Sequence, residues 1–248
     1  MNITNKTILI TGGGSGIGFQ MAKLFGSKGN KVIITGRSED KLKQAATQLN
    51  NVSFIAGDVS DAASVDNLVN RITNEFGELN ILINNAGQAN VYKLGANVNA
   101  YDKAAGEMET NYLSVIRLTE KLLPLLTASK GSAIVNVTSI VAFVPGINLP
   151  TYAASKAALH SYSQALRYTL ALTTGIKVFE LMPPLVNTGL SVDIGGANGI
   201  DPEVVAQHLI DGMEADNYEL HTGKTADMYQ LFLSSPVAAM NALNQGRE

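Results

Sequence analysis

The strongest constraint on this chain is the alternation of short β-branched runs with helical patterns. TILIT (7–11), KVIIT (31–35), VSFI (52–55), LNILIN (79–84), SAIVNVTS (132–139) and IKVFELM (176–182) read as strands buried on both faces. Between the third and fourth, Val65, Leu68, Val69, Ile72 and Phe76 recur at three- and four-residue steps after Ser60 and stop at Gly77, a helix with its terminator. Parallel strands cannot be joined by tight turns, and right-handed crossovers place helices on both faces of an open sheet. The expected fold is therefore α/β, a doubly wound parallel sheet. Such a sheet binds ligands at the carboxyl ends of its strands, where strand order reverses. Asp201 and Pro202 are read as the cap and first residue of a late helix, and 219–222 as a last short strand.

The 248 residues are expected to form one domain, 1–248, because neither a repeat nor a Pro-rich linker divides them. An apolar content of 46% against 16% charged residues describes an ordered chain with a large core. A net charge of -3 provides no general attraction to nucleic acid or an anionic membrane. Without cysteine, the chain has no disulfide, thiolate nucleophile or Cys-ligated zinc. The start MNITNKTILITGGG lacks the apolar segment of a signal peptide, and no run reaches the length of a membrane span. A cytoplasmic location is the expectation.

After the first strand comes ThrGlyGlyGlySerGlyIleGly (11–18), with Gly12, Gly16 and Gly18 ahead of a helical run. Glycine lets a backbone turn sharply and approach a pyrophosphate, whose charge meets free amides and the positive end of a helix dipole. A tight turn without a ligand is the alternative. At the end of the second strand, a carboxylate would bind the ribose hydroxyls of NAD and a cation the 2′-phosphate of NADP. Here Gly36 stands where the carboxylate is expected and Arg37 follows, so NADP(H) is favoured over NAD(H).

In TyrAlaAlaSerLys, Tyr152 and Lys156 fall on one helical face. Eight tyrosines in the chain make one such pair unremarkable by itself. Taken with the glycine turn, AspVal at 58–59, AsnAsnAlaGly at 84–87, Asn111 in a helix and Ser139 ending the fifth strand, however, the chain resembles the short-chain dehydrogenase/reductase family over nearly its whole length. The resemblance implies a Rossmann-type fold and hydride transfer between a nicotinamide and a carbonyl or alcohol substrate. It implies Asn111, Ser139, Tyr152 and Lys156 as the catalytic set. Tyr152 exchanges the proton, Ser139 holds the substrate oxygen, Lys156 holds the nicotinamide ribose, and Asn111 fixes a water leading to solvent. The implied cofactor contacts are Gly12, Gly14, Ser15, Gly16, Ile17, Gly18, Arg37, Asp58, Val59, Asn85, Ala86, Gly87, Tyr152, Lys156, Pro183, Val186 and Thr188. A neighbouring ammonium is expected to favour the phenolate of Tyr152, bringing its proton into use near neutral pH.

Pro184 departs from the family's usual glycine after the sixth strand. With SerSerPro at 234–236 and a short tail, it resembles the DltE-like branch, whose motifs leave the substrate open. The stretch 185–200 is expected to be a mobile loop at the substrate entrance, an inert connection being the other reading. Ala153, Ala157, Ser161 and Gln164 make one side of the Tyr152 helix small. The family pairs this helix and the Asn111 helix between subunits, so a homo-oligomer, dimer or tetramer, is expected. Ser139 does not form a hydrolase elbow, because Thr138 and Ile140 flank it. His160, His208 and His221 lack metal-ligand spacing, and no metal is expected. A dinucleotide-binding redox sensor without turnover remains the alternative from another class.

Overall fold

The computed structural model describes residues 1–247. Seven strands form one sheet: β1 (Thr7–Thr11), β2 (Lys31–Gly36), β3 (Val52–Ala56), β4 (Ile81–Asn84), β5 (Ala133–Val137), β6 (Lys177–Met182) and β7 (Glu219–His221). Their order is β3-β2-β1-β4-β5-β6-β7, and every neighbouring pair is parallel. The order reverses between β1 and β4, which opens a crevice above their carboxyl ends.

Nine α-helices cross over the sheet among the described residues: α1 (Gly16–Ser27), α2 (Glu39–Thr47), α3 (Ala62–Glu75), α4 (Ala100–Met108), α5 (Ser114–Ala128), α6 (Pro150–Thr173), α7 (Pro202–Glu214), α8 (Lys224–Ser234) and α9 (Pro236–Asn244). Alternate strand residues face opposite sides. Ile8, Ile10, Val32, Ile34, Ile81, Ile83, Phe179 and Leu181 pack with Phe25 of α1, Leu42 of α2 and Leu209 of α7. The intervening Leu9, Ile33, Leu82, Ile134 and Val178 pack with Leu68 and Ile72 of α3, Leu122 of α5 and Leu170 of α6. Burial on both faces accounts for the almost unbroken apolar character of the strand sequences.

The helix ends follow local chemistry. Asp61 caps α3 by accepting the Ser64 amide at 2.7 Å, and Gly77 beyond it takes a left-handed φ of 73°. Asp201 accepts the Glu203 amide at 2.7 Å with Pro202 in the first turn. Serines cap the flanking helices in the same way: Ser38 at α2 and Ser235 at α9.

The segment 185–200 is more tightly bonded than a mobile loop would be. Asn187 donates its amide to Ile200 O at 2.9 Å, and Ile200 donates its own to Leu185 O at 3.0 Å. Two 3-10 turns, Gly189–Ile194 and Gly196–Asn198, fill the span. Ser191 donates its hydroxyl to the Val186 carbonyl at 2.5 Å, satisfying from within a backbone that would otherwise depend on solvent. Leu190 and Val192 remain exposed on its outer surface.

Candidate active site

The turn after β1 is shaped by close approaches. Gly12 has φ 66° and donates its amide to Thr35 O at 2.8 Å. A Cβ on Gly12 would stand 3.0 Å from both Ala86 Cα and Asn85 Nδ2. Gly18 lies within α1, where a Cβ would overlap the Gly12 carbonyl oxygen, so its glycine lets the helix seat on the turn. Thr11 ties the turn to the strand beside it. Its hydroxyl accepts the amides of Asn85 and Ala86, each at 2.9 Å, and donates to Ile83 O at 3.3 Å. Asn85 completes the tie by donating Nδ2 to Thr11 O at 2.9 Å.

A cleft of about 350 Å³ runs over this turn and along the carboxyl edge of the sheet. Of the expected cofactor contacts, Gly12, Gly14, Ser15, Gly16, Ile17, Arg37, Asp58, Val59, Asn85, Ala86, Gly87, Tyr152, Lys156, Pro183 and Thr188 line it. Two expected contacts lie behind its wall. Gly18 is buried against the turn, and Val186 is buried in a bridge to Ile200. Thr188 meets the turn from the opposite side, since a Cβ on Gly16 would approach its Cγ2 to 3.1 Å.

Ser38, Lys41, Gln88 and Thr138 also line the cleft, and sequence reasoning passed over them. Lys41 follows Arg37 by four residues in the first turn of α2, a spacing that could have identified it. At this end the lining side chains are Arg37, Ser38, Lys41 and Leu42, with no carboxylate among them. Asp58 lies further along; its Oδ1 accepts both the amide and hydroxyl of Ser60, at 2.9 and 2.7 Å, so it is a turn former as well as a lining residue.

Asn111 is fully buried in a π-helical turn, Glu109–Leu113, between α4 and α5. Ser114 donates its amide to Glu109 O, five residues back, inserting the extra residue that defines such a turn. The Asn111 side chain accepts the Gln88 amide at 2.8 Å and donates to Gln88 O and Ser155 Oγ, each at 2.9 Å. Ser155 in turn donates to Tyr152 O at 2.8 Å. Asn111 thus clamps the cleft wall at Gln88 to the helix carrying Tyr152. A Cβ on Gly87 would stand 3.5 Å from Asn111 Oδ1 and 3.8 Å from Lys156 Nζ, which places these groups around one glycine.

Tyr152 and Lys156 share the inner face of α6, with Lys156 Nζ 5.7 Å from the phenol ring centroid. Ser139 lies two residues beyond the end of β5, not within it, and caps a short 3-10 turn, Ile140–Ala142. The ionisation of the tyrosine differs from the sequence expectation. Burial pushes its phenol up to about 12; the neighbouring Ser139 hydroxyl opposes this, and the Glu107 carboxylate adds to it. Burial also draws Lys156 down to about 8, with the Glu180 carboxylate acting in the opposite sense. Lys156 donates Nζ to Val137 O at 2.8 Å. Burial is the largest influence on the phenol.

The other titratable candidates take structural positions. His160 binds Glu180, His208 binds Thr222, and His221 stacks on Tyr229 at 4.3 Å. Among the described residues, no cluster of three His, Cys, Asp or Glu side chains could hold a metal ion. No described helix is long and apolar enough to cross a membrane.

A doubly wound sheet with a glycine turn at its crevice, and a half-buried tyrosine over a buried lysine near a serine beyond the strand end, defines a class of dinucleotide-dependent oxidoreductase. The short chain dehydrogenase family model matches residues 6–198, and the chain belongs to that family of nicotinamide-dependent oxidoreductases. It is 40% identical over 227 residues, 89% of each chain, to the uncharacterized oxidoreductase DltE of Bacillus subtilis. An uncharacterized oxidoreductase of Staphylococcus aureus is 31% identical over 214 residues, covering 84% of this chain and 90% of the relative. Among solved structures, 3-ketoacyl-(acyl-carrier-protein) reductase from Brucella melitensis, complexed with NADH, superposes with a TM-score of 0.78 at 29% identity. The match covers 88% of this chain and 94% of that one. A short-chain dehydrogenase/reductase from Burkholderia phymatum, in complex with NAD, has the same fold, with a TM-score of 0.88 at 20% identity over 96% of both chains.

The Thr11 tie yields a test. Thr11→Val leaves two amides without their acceptor, and the expected cost is about 1–3 kcal/mol of stability, with weaker dinucleotide binding. Urea unfolding and fluorescence titration with a reduced nicotinamide cofactor measure the two effects; an unchanged variant would show that the turn holds its shape without this hydroxyl.

Proposed function

We propose that the protein is an NADP(H)-dependent oxidoreductase acting on a small carbonyl or alcohol substrate, with Tyr152 as the proton donor and acceptor. The residues present suit a dinucleotide: the glycine turn brings backbone to the cleft floor, and side chains at Gly14 or Gly16 would meet Leu42 or Thr188. Gly12 to Ile17, Asp58, Val59 and Asn85 to Gly87 are the residues proposed to hold it, with Pro183 and Thr188 at the nicotinamide end. When bound, the cofactor supplies or accepts the hydride. The chain's own groups manage the oxygen and the proton.

The observation carrying the NADP preference is the cationic end of the cleft. Arg37 and Lys41 line it with Ser38, while Glu39 and Asp40 of the same helical turn do not. A guanidinium presents a planar fork to a phosphate and Lys41 adds a second charge, whereas NAD offers ribose hydroxyls that a carboxylate would accept.

At neutral pH a phenol pushed up to about 12 retains its proton, the state needed to reduce a carbonyl. Tyr152 Oη then donates to the oxygen as negative charge develops there, and Ser139 Oγ donates a hydrogen bond to that oxygen. A charged Lys156 beside the phenol stabilises the phenolate left behind. Asn111 holds Gln88 and Ser155 in place and is read as the anchor of the route by which a proton returns from solvent. Tyr152→Phe is expected to lower turnover on the order of a hundredfold or more with cofactor affinity little changed. Nicotinamide absorbance with a panel of ketones, aldehydes and quinones provides the assay, and full turnover by Tyr152→Phe would remove this assignment.

The double variant Gly36→Asp, Arg37→Gln should move the NADPH/NADH ratio of kcat/KM toward NADH by about tenfold or more, because a charge-assisted hydrogen bond contributes about 1.5–3 kcal/mol. An unmoved ratio would count against the phosphate reading. We further propose a homo-oligomer. Leu113, Tyr168 and Leu172 are exposed where α5 and α6 face outward, beside the exposed Ser161 and Gln164 of α6; Ala153 instead packs inward against Ile140 and Val141. Light scattering is expected to give a multiple of the 26.2 kDa chain, and a monomeric mass at micromolar concentration would refute the assembly.

A further inference from the structure

One charged cluster is not needed to hold cofactor or substrate. Glu180 is the lone carboxylate in β6, at 0% exposure. Its Oε1 accepts the Thr138 hydroxyl at 2.7 Å, and His160 Nδ1 stands 2.9 and 3.0 Å from its two oxygens. An ionised carboxylate only accepts, so His160 carries hydrogen on Nδ1. Burying a carboxylate without an opposite charge is expensive, and His160 is half-buried against it, one helical turn beyond Lys156 on α6.

The cluster is joined to the candidate catalytic residues through consecutive positions at the end of β5. Val137 gives its carbonyl to Lys156 Nζ at 2.8 Å, and Thr138 gives its hydroxyl to Glu180. Ser139 then faces Tyr152. A fully buried carboxylate lies behind a nearly buried lysine, with an imidazole on its far side.

We propose that Glu180 and His160 are positioning residues that form an electrostatic seat for Lys156: the carboxylate holds the lysine in its ammonium form, and the imidazolium limits the strength of that hold. This deepens the proposed reaction and rests on that reading of Lys156, although the ionisation itself is a property of the free protein. Two effects oppose one another at Lys156. Burial favours the neutral amine, and Glu180 favours the ammonium. Without the carboxylate, burial would act alone, and the group meant to stabilise the phenolate would lose its charge at lower pH.

His160 sets the balance because it shares the carboxylate. Its hydrogen bond to Glu180 raises its own pKa, burial lowers it, the charges of Glu180 and Glu219 raise it and Arg167 lowers it. His221 lies close enough to feel both His160 and Glu180. Lys156 is faced by Glu180 from β6 and by Tyr152 from its own helix, and Glu107 acts on Tyr152 from α4. As an imidazolium, His160 offsets part of the negative charge that reaches Lys156. As it loses its proton, the full carboxylate acts on the lysine and resists deprotonation there. The titrations of His160 and Lys156 are coupled through the carboxylate between them in this way.

The test reads Lys156 directly. Protein labelled with ¹³Cε-lysine is titrated by NMR without cofactor, the Lys156 signal being identified by its loss in Lys156→Arg. The parent midpoint is expected near 8. Glu180→Gln keeps a hydrogen-bonding oxygen and removes the charge, and should lower the midpoint by about one pH unit or more. His160→Asn keeps a donor and removes the cation, and should raise it. A variant that merely loosened the packing would hydrate Lys156 and raise its midpoint, so the fall in Glu180→Gln separates the two explanations. Should that single variant not fold, Glu180→Gln combined with His160→Asn supplies a neutral amide pair, for which a smaller fall is expected because the opposing cation is removed with the carboxylate. A midpoint that rises or stays in place when Glu180 loses its charge overturns the proposal, as does a fall in His160→Asn. The alkaline limb of kcat/KM for carbonyl reduction should follow the same signs. If the lysine midpoints move as expected while the parent turns over no carbonyl compound, the electrostatic seat stands and the oxidoreductase assignment fails.

Discussion

The hydrogen bond from Lys156 to the Val137 carbonyl holds a nearly buried cation at the carboxyl end of a central strand, and much of the site is arranged around satisfying it. A strand-end carbonyl is available there because the ladder with β4 ends at Asn84 and Asn136, and the Ala86 amide that follows is given to Thr11 instead. Lateral pairing no longer uses every acceptor beyond that point. The next two residues continue the same extended run and send one hydroxyl toward Glu180 and the other toward the cleft. Val137 thus meets the cation through its carbonyl, while the Thr138 and Ser139 side chains, on opposite sides of extended backbone, meet the anion and Tyr152.

The helix that carries the lysine needs its own seating. On its inner face, Ser155 accepts Asn111 Nδ2, and Ser163 accepts Asn136 Nδ2 from β5. Asn136 Oδ1 accepts Asn84 Nδ2 from β4. These amide-to-hydroxyl contacts form a buried polar seam across β4, β5 and α6, every member of which has a partner. In a dry interior such bonds are costly to break and directional, so they fix the rotation of α6 more sharply than apolar packing would. Tyr152 and Lys156 inherit that orientation. The π turn contributes from the other side by turning Asn111 inward to reach Gln88 and Ser155 together.

Two sequence expectations are altered by what surrounds the residues concerned. The phenol is pushed up, where a neighbouring ammonium was expected to bring it down, because burial outweighs the opposing Ser139 hydrogen bond. The 185–200 segment is bonded to itself, where its glycines suggested mobility. Gly196 instead allows the chain to fold back onto Ser191, since a Cβ there would collide with the Ser191 side chain. Composition shows that a glycine is present. The surroundings determine whether it provides freedom or close packing.

The fold was largely legible in the chain. Each of the six β-branched runs forms a strand, β2 and β3 extending one residue past theirs, and the seventh strand covers 219–221 of the expected 219–222, because burial on both faces imposes an apolar pattern that survives without coordinates. The glycine turn, Asn111, Ser139 and the Tyr152–Lys156 spacing were legible for a similar reason, each being a local arrangement within one element. Lys41 and Glu180 could be seen as a charge in a first turn and a lone carboxylate in an apolar strand, but neither declared its partner. Pairing Glu180 with His160, and both with Lys156, depends on β6 lying beside β5 and on the rotation of α6 above them. Those are contacts between residues far apart in sequence. Local residue patterns can specify which element forms and which face is buried; charge balance in a dry interior is decided by what arrives from other elements, and for this protein only the tertiary structure supplies it.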